Sequence, residues 1–211
     1  MAKRIIAVAA IQASFGHDMQ ANIAKVESFV REAVKKGAQV VLPPELFQGI
    51  YFPTRQDPKW FATAYPVREH PAVLALAKLA KTLKVVIPIS FFERDGPRYY
   101  NSVAVADADG EILGLYRKSH IPDGPGYQEK YYFRPGDTGF KAWKTRHGMI
   151  GAGICWDQWY PEAARAMVLE GADILFYPTA IGLEPQDLTI DTHLQWQRAM
   201  QGHAVANAVP I

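Results

Sequence analysis

Three side chains in this 211-residue sequence stand where apolar runs stop, and together they could carry nucleophilic chemistry. Cys155 closes the run from Met149 to Ile154, Glu45 follows Val40-Val41-Leu42 and two prolines, and Lys118 follows Leu113 to Arg117. A thiolate attacks a carbonyl where a thiol does not, so a cysteine nucleophile needs a base or a positive neighbour near neutral pH. A carboxylate and an ammonium beside Cys155 would supply that base and an electrostatic stabiliser. A turn between a strand and a helix N-terminus would itself favour the thiolate. Each residue also has a plainer reading. The sole cysteine could be a small buried hydrophobe, Glu45 a solvated turn residue or helix cap, and Lys118 a surface cation. Three such residues at three strand ends favour the chemical reading, because strand ends of layered α/β folds converge on one site.

The elements that must hold them follow from periodicity. Ile5 to Ile11 reads as a buried strand, and Asp18 to Lys36 as a helix with Ile23, Val26, Val30 and Val34 on one face and Gly37 as its stop. Gln39 to Leu42 is a second strand. Residues 52–70, rich in proline and aromatics, read as a surface loop; Pro71 to Lys84 is a helix and Val85 to Phe92 a strand. A hairpin pairs Ser102 to Ala106 with Glu111 to Tyr116 around Asp107 to Gly110. Asp123 to Asp137 is an aromatic loop. A second hairpin joins Phe140 to Thr145 with Met149 to Cys155; a helix at 161–170, a strand at 173–177 and a helix near 191–207 follow. Helices alternating with single strands and then hairpins predict one α/β domain over 1–211, layered around mixed sheets.

Composition narrows the partners. Lys and Arg number 23 against 21 Asp and Glu, a formal charge of +2, with no basic stripe. Nucleic acid and anionic membrane surfaces are therefore not indicated. The apolar run after Lys3-Arg4 is too short to span a bilayer and breaks at Gln12. A single cysteine excludes an internal disulfide framework and suits a reducing, cytoplasmic setting. His17, His70, His120, His147, His193 and His203 show no zinc-type spacing with it, so neither metal nor cofactor is expected.

Pro44-Glu45-Leu46-Phe47, Tyr116-Arg117-Lys118-Ser119-His120 and Gly153-Ile154-Cys155-Trp156-Asp157 resemble, in order, the three signature blocks of the carbon–nitrogen hydrolases of the nitrilase superfamily. Ser90 to Arg94, Lys118 to Phe133, Phe176 to Glu184 and the stretch around His193 to Ala204 are similar to the branch acting on N-carbamoylputrescine. The resemblance implies a four-layer α-β-β-α sandwich that is C-terminally incomplete relative to the family. Open edges left by the absent part would be covered in a homo-oligomer, a dimer or larger. It implies Cys155 as nucleophile, Glu45 as base and then acid, Lys118 and the Trp156 backbone N–H as oxyanion donors, and Glu129 as a second glutamate beside the lysine. His120 is then a supporting residue. A cationic N-carbamoyl amine as substrate calls for a carboxylate at the far end of the pocket. Asp123 and Glu184 are the candidates, with Tyr127, Tyr131, Trp156 and Trp159 as possible walls; the same residues could equally be solvated loop charges and core aromatics. Three alternatives stand beside this. An amidohydrolase for another N-carbamoyl amine or an aliphatic amidase keeps the chemistry; one for an anionic N-carbamoyl amino acid would use Arg165 or Arg198 as a clamp. A truncated, non-catalytic assembly subunit would not need the three residues at all.

Overall fold

The computed structural model describes residues 5–182, 184 and 187–211. Its first strand, β1 (Val8–Ala10), runs parallel to β2 (Val40–Leu42), with Val8 opposite Val40. β1 is shorter than Ile5 to Ile11 and is not buried: Val8 is 46% and Ile5 85% exposed. It is an edge strand with β2 as its neighbour; Ala9 and Ile11 pack on one core and Ile6 on another, while Val8 stays open. Between the two strands lies α1 (Met19–Lys35), capped by Asp18, whose carboxylate accepts from Gln20 N and Ala21 N. α2 (Pro71–Leu83) starts with His70 accepting from Ala72 N and Pro71 in the first turn, and ends on Lys84 in the left-handed region.

Backbone bonds from Val41 N to Val86 O and from Val86 N to Gln39 O tie β2 to the start of the next strand. That strand, β3 (Ile87–Asp95), forms an antiparallel meander with β4 (Arg98–Ala106) and β5 (Ile112–Arg117). β3 and β4 pair from Ile87↔Ala106 out to Asp95↔Arg98, beyond the ends expected at Phe92 and Ser102. The extension is polar and therefore silent in hydrophobic periodicity. It is held by Glu93, which accepts from Ser102 Oγ at 2.6 Å and from two guanidinium nitrogens of Arg117. A short ladder, β6 (Asp123–Gly124) with β7 (Tyr127–Gln128), precedes the second sheet. There β9 (Gly148–Ala152) lies between antiparallel β8 (Ala142–Thr145) and parallel β10 (Ile174–Phe176).

Alternation of side chains along the strands builds the layers. Ile87, Ile89, Phe91, Ala104 and Ala106 face α1 and α2, in one core with Val26, Val30, Leu76 and Leu79. Val103, Val105 and Tyr116 face the other way, onto Trp143, Ile150, Ile154, Ile174 and Phe176 of the second sheet. The far side of that sheet is covered by α3 (Pro161–Leu169) and α4 (His193–Asn207), through Ala164, Met167 and Met200 against Leu175 and Tyr177. The result is the expected α-β-β-α sandwich. Gly151 is required where α3 meets β9, since a Cβ there would stand 2.6 Å from Leu175 Cδ2.

Residues 52–70 are not a surface loop. They form two 3-10 turns, Phe52–Thr54 and Pro58–Thr63, and bury Phe52 and Trp60 with Phe92, Tyr132 and Phe133. The rings of Phe52 and Trp60 stack at 5.2 Å. Aromatic residues interleaved with prolines carry no helical or strand period, yet their area drives them inward. Tyr132 and Phe133 of this cluster donate their backbone N–H groups to Glu129 O, at 3.0 and 2.8 Å.

Candidate active site

Glu45, Lys118 and Cys155 do converge. Glu45 is set by the Pro43-Pro44 exit from β2 and by Leu46, which adopts a left-handed backbone at φ 48° and donates its N–H to Ser90 Oγ. Lys118 follows directly on β5, its backbone N–H donating to Asn101 O on β4. Cys155 sits at the turn after β9 with φ 44°, opening the 3-10 turn Cys155–Trp159 that leads into α3. Left-handed backbone at a residue with a Cβ is strained, by roughly 1–2 kcal/mol, and such strain gathers at functional sites.

The cluster is dry. Lys118 and Glu129 are fully buried, and Glu45 and Cys155 are 3% and 4% exposed. Lys118 Nζ donates to Glu45 Oε1 at 3.0 Å and to both oxygens of Glu129 at 2.8 Å. The Cys155 thiol lies within electrostatic reach of both Glu45 and Lys118. Burial disfavours the Lys118 ammonium, but Glu129 and Glu45 outweigh that and hold its pKa well above the ordinary lysine range. Burial pushes Glu129 up to about 7, with Glu45 adding to the rise and Lys118 opposing it. Burial, then the charge of Glu45, pushes the Cys155 thiol well above its ordinary value against the pull of Lys118. This corrects the expectation that the turn would favour a thiolate: the resting group is the thiol, and it needs a base in contact. Trp156 lies in the first turn of the 3-10 segment, where backbone N–H groups find no acceptor within the helix.

Four contributors escaped the sequence reading. Tyr51 donates its hydroxyl to Glu129 Oε1 at 2.6 Å. Asn101 donates Nδ2 to Glu45 Oε1 at 2.7 Å, and Ala180 N donates to Glu45 Oε2 at 2.9 Å. Asp157, fully buried, accepts from Ile154 N at 2.9 Å, Tyr116 OH at 2.8 Å and His120 N at 3.0 Å, and meets His120 Nδ1 at 2.7 Å. It therefore staples the cysteine turn to the segment after Lys118. His120 lies flat on Tyr160, ring centroids 3.5 Å apart, outside the lysine–glutamate cluster. A usable signal existed for Asn101 alone: an amide side chain within the apolar run Tyr100 to Ala106 needs a buried partner.

Above the cluster opens a cavity of about 630 Å³, lined by Glu45, Tyr51, Tyr127, Tyr177, Thr179 and Trp196 among others. Among the described residues that line it there is no lysine or arginine. Burial, followed by the charge of Glu184, pushes the Tyr127 phenol up to about 12, while Glu184 itself is not among the cavity's lining residues. Asp123 is exposed on β6 and does not line the cavity. Trp159 stands one layer back, edge-on to Trp196 at 5.3 Å and to Trp156 at 6.3 Å. Tyr131 is 38% exposed and packs on Tyr132. Arg165 donates to Ala206 O on the surface, and Arg198 is exposed; neither reaches the cavity. Among the described residues no three His, Cys, Asp or Glu are grouped to hold a metal ion.

Comparison with known proteins agrees with this arrangement. Residues 7–211 match the family model described as carbon-nitrogen hydrolase. The chain is 57% identical to N-carbamoylputrescine amidase of Arabidopsis thaliana, covering 99% of this chain and 70% of that protein. It is 54% identical to a citrullinase of Francisella tularensis, over 98% of this chain and 72% of that one. Among solved structures, a carbon-nitrogen hydrolase from Helicobacter pylori superposes with a TM-score of 0.89 at 39% identity, over 97% of this chain and 71% of that chain. A fold with a buried glutamate, lysine and cysteine at its strand ends, matched over nearly its whole length, has one assignment: the chain belongs to the carbon–nitrogen hydrolase family.

Proposed function

We propose that this single α/β domain hydrolyses the carbamoyl C–N bond of N-carbamoylputrescine, releasing putrescine, CO2 and ammonia, and so serves polyamine synthesis in the cytoplasm. The observation that carries the reading is the buried contact set of Lys118 with Glu45 and Glu129 beside the Cys155 thiol. Glu45 takes the thiol proton as Cys155 sulfur bonds to the carbamoyl carbon. The oxygen, now negative, is met by Lys118 Nζ and the Trp156 N–H, fixed donors of the kind that lower such barriers most. The C–N bond then breaks, and Glu45 returns the proton to the leaving amine. Water, deprotonated by Glu45, attacks the carbamoyl thioester, which regenerates the thiol and frees carbamate, the source of CO2 and ammonia. Glu129 holds Lys118 in place and lies beside the departing nitrogen.

Substrate charge separates the two nearest readings. Citrulline carries an α-carboxylate, which calls for a cationic clamp, whereas putrescine's free end is an ammonium. Glu184 acts on Tyr127 of the lining, and the described lining residues include no lysine or arginine, which supports the cationic amine. Asp123 is the weaker candidate for that role, being turned to solvent. Exposed Leu169 and Val205 on α3 and α4, at 78% and 84%, support association with further copies.

The test is ammonia release from N-carbamoylputrescine and from citrulline, with Cys155→Ala as the blank. Strong preference for the first is expected, and Glu184→Gln should erode it by roughly tenfold or more, the effect of losing one charge-assisted contact. Equal turnover by Cys155→Ala would refute the mechanism; a preference for citrulline would keep the mechanism and move the substrate.

A further inference from the structure

The geometry points to Asn101 as a positioning residue that selects which oxygen of Glu45 acts as the base. This rests on the reading of Glu45 as proton acceptor for Cys155. Two donors converge on Glu45 Oε1, Lys118 Nζ at 3.0 Å and Asn101 Nδ2 at 2.7 Å. Oε2 receives the Ala180 N–H at 2.9 Å. A carboxylate oxygen has two lone-pair directions in its plane. Oε1 has both occupied, so Oε2 keeps the one free to accept the thiol proton. Without Asn101 the carboxylate has one fewer restraint, and either oxygen could rotate toward Lys118.

Asn101 also reaches the lysine, through its backbone. Its C=O accepts the Lys118 N–H at 2.8 Å, at the end of the β4–β5 pairing. One fully buried residue on β4 therefore fixes the base by its side chain and the oxyanion donor by its main chain. The amide orientation follows from the neighbour, because a carboxylate 2.7 Å away demands the NH2 group. Asn101 Oδ1 meets no partner among the described residues. A buried amide oxygen without a partner weakens a fold. An aliphatic side chain would avoid that cost, so what Asn101 supplies there is the N–H to Glu45.

The test compares Asn101→Ala and Asn101→Asp with the parent, using N-carbamoylputrescine turnover with Cys155→Ala as the blank. The pH dependence of Cys155 alkylation by iodoacetamide gives a second readout that needs no substrate. Asn101→Ala should keep KM within about twofold and lose about 10²-fold in kcat, as expected for a misplaced catalytic group. Asn101→Asp, of the same shape, puts two carboxylates in contact. Its acid limb for kcat/KM and for alkylation should move up by about a pH unit or more, because like charges resist joint ionisation. A merely structural role would leave that limb in place. Should Asn101→Ala fail to fold, Asn101→Asp decides. The assignment is overturned if Asn101→Asp keeps the parent's limb, or if a folded Asn101→Ala keeps its kcat, while Cys155→Ala is inactive. Turnover by Cys155→Ala would overturn the catalytic reading and this assignment with it.

Discussion

Removing the carboxylate of Asp157 tests whether the cysteine turn is held by the staple described above. In Asp157→Ala the Ile154 N–H loses its acceptor inside the core, and the Tyr116 hydroxyl loses a 2.8 Å partner and keeps Ser119 Oγ at 3.0 Å. The His120 N–H and ring, half-buried, can turn to water and add less. A buried donor left unpaired costs about 1–3 kcal/mol, and the Ile154 N–H is the one so left, so the predicted loss is about 1–3 kcal/mol. That is a measurable part of the 5–15 kcal/mol typical of a folded domain. The strain of roughly 1–2 kcal/mol at left-handed Cys155 would also be free to relax, moving the sulfur. Asp157→Asn keeps one acceptor and turns an NH2 toward donors, predicting about half the loss. Urea unfolding followed by tryptophan fluorescence measures this, since Trp143 and Trp159 lie in and beside the affected core. The expected result is a lower midpoint at an unchanged slope, with kcat falling further than stability alone explains. A midpoint for Asp157→Ala within about 0.5 kcal/mol of the parent, the range of ordinary surface substitutions, would refute the staple.

Two further predictions concern pH. Burial lowers His70 from 6.5 to about 3, so the unfolded chain binds a proton over that window while the folded chain does not. Stability present above about 6.5 is therefore lost as pH falls toward 3, by up to about 5 kcal/mol. His70→Asn keeps a capping acceptor for Ala72 N; it should flatten that slope in acid titrations followed by circular dichroism, and an unchanged slope would refute the claim. Glu129 acts in the opposite sense. Raised to about 7 from 4.5, it holds a proton in the folded state that the unfolded chain has released. Stability should fall as pH rises through that window, and Glu129→Gln should lessen that decline in urea midpoints measured across it. A decline that persists in the variant would count against the shift.

Much of this was legible from sequence for a physical reason. Buried strands and amphipathic helices repeat their apolar residues with a period, and the three residues proposed to do the chemistry each stand at the end of such a run. What escaped lacks a period. The polar reach of β3 and β4 from Glu93 to Asn101 is held by Arg117 and Ser102, not by burial of alternating apolar residues. Phe52 and Trp60 pack through ring shape among prolines. Val8 and Ile5 are apolar yet exposed, although Ile6, Ala9 and Ile11 of the same run pack on the cores, and an unbroken apolar run does not tell them apart. Tyr51, Asn101 and Asp157 reach the site from chain positions 78, 56 and 37 residues away from the groups they hold or join, so only the fold brings them there. Trp159 was expected at the cavity wall and instead backs Trp196.

The dry lysine with its two glutamates has a bearing on how such a protein can change over generations. Replacing a whole buried ionic cluster by well-packed apolar side chains is often neutral or stabilising by about 1–4 kcal/mol. Losing one member at a time is another matter, costing about 3–5 kcal/mol because a charge is left alone in the core. Lys118 bonds both Glu45 and Glu129, so every exit that begins at the lysine passes through such an intermediate, with two carboxylates left unmatched. A lineage released from selection for turnover would still be held at Lys118 by the demand to fold. Drift would erase Cys155, which packs as a small uncharged group, well before it erased the ions beneath it.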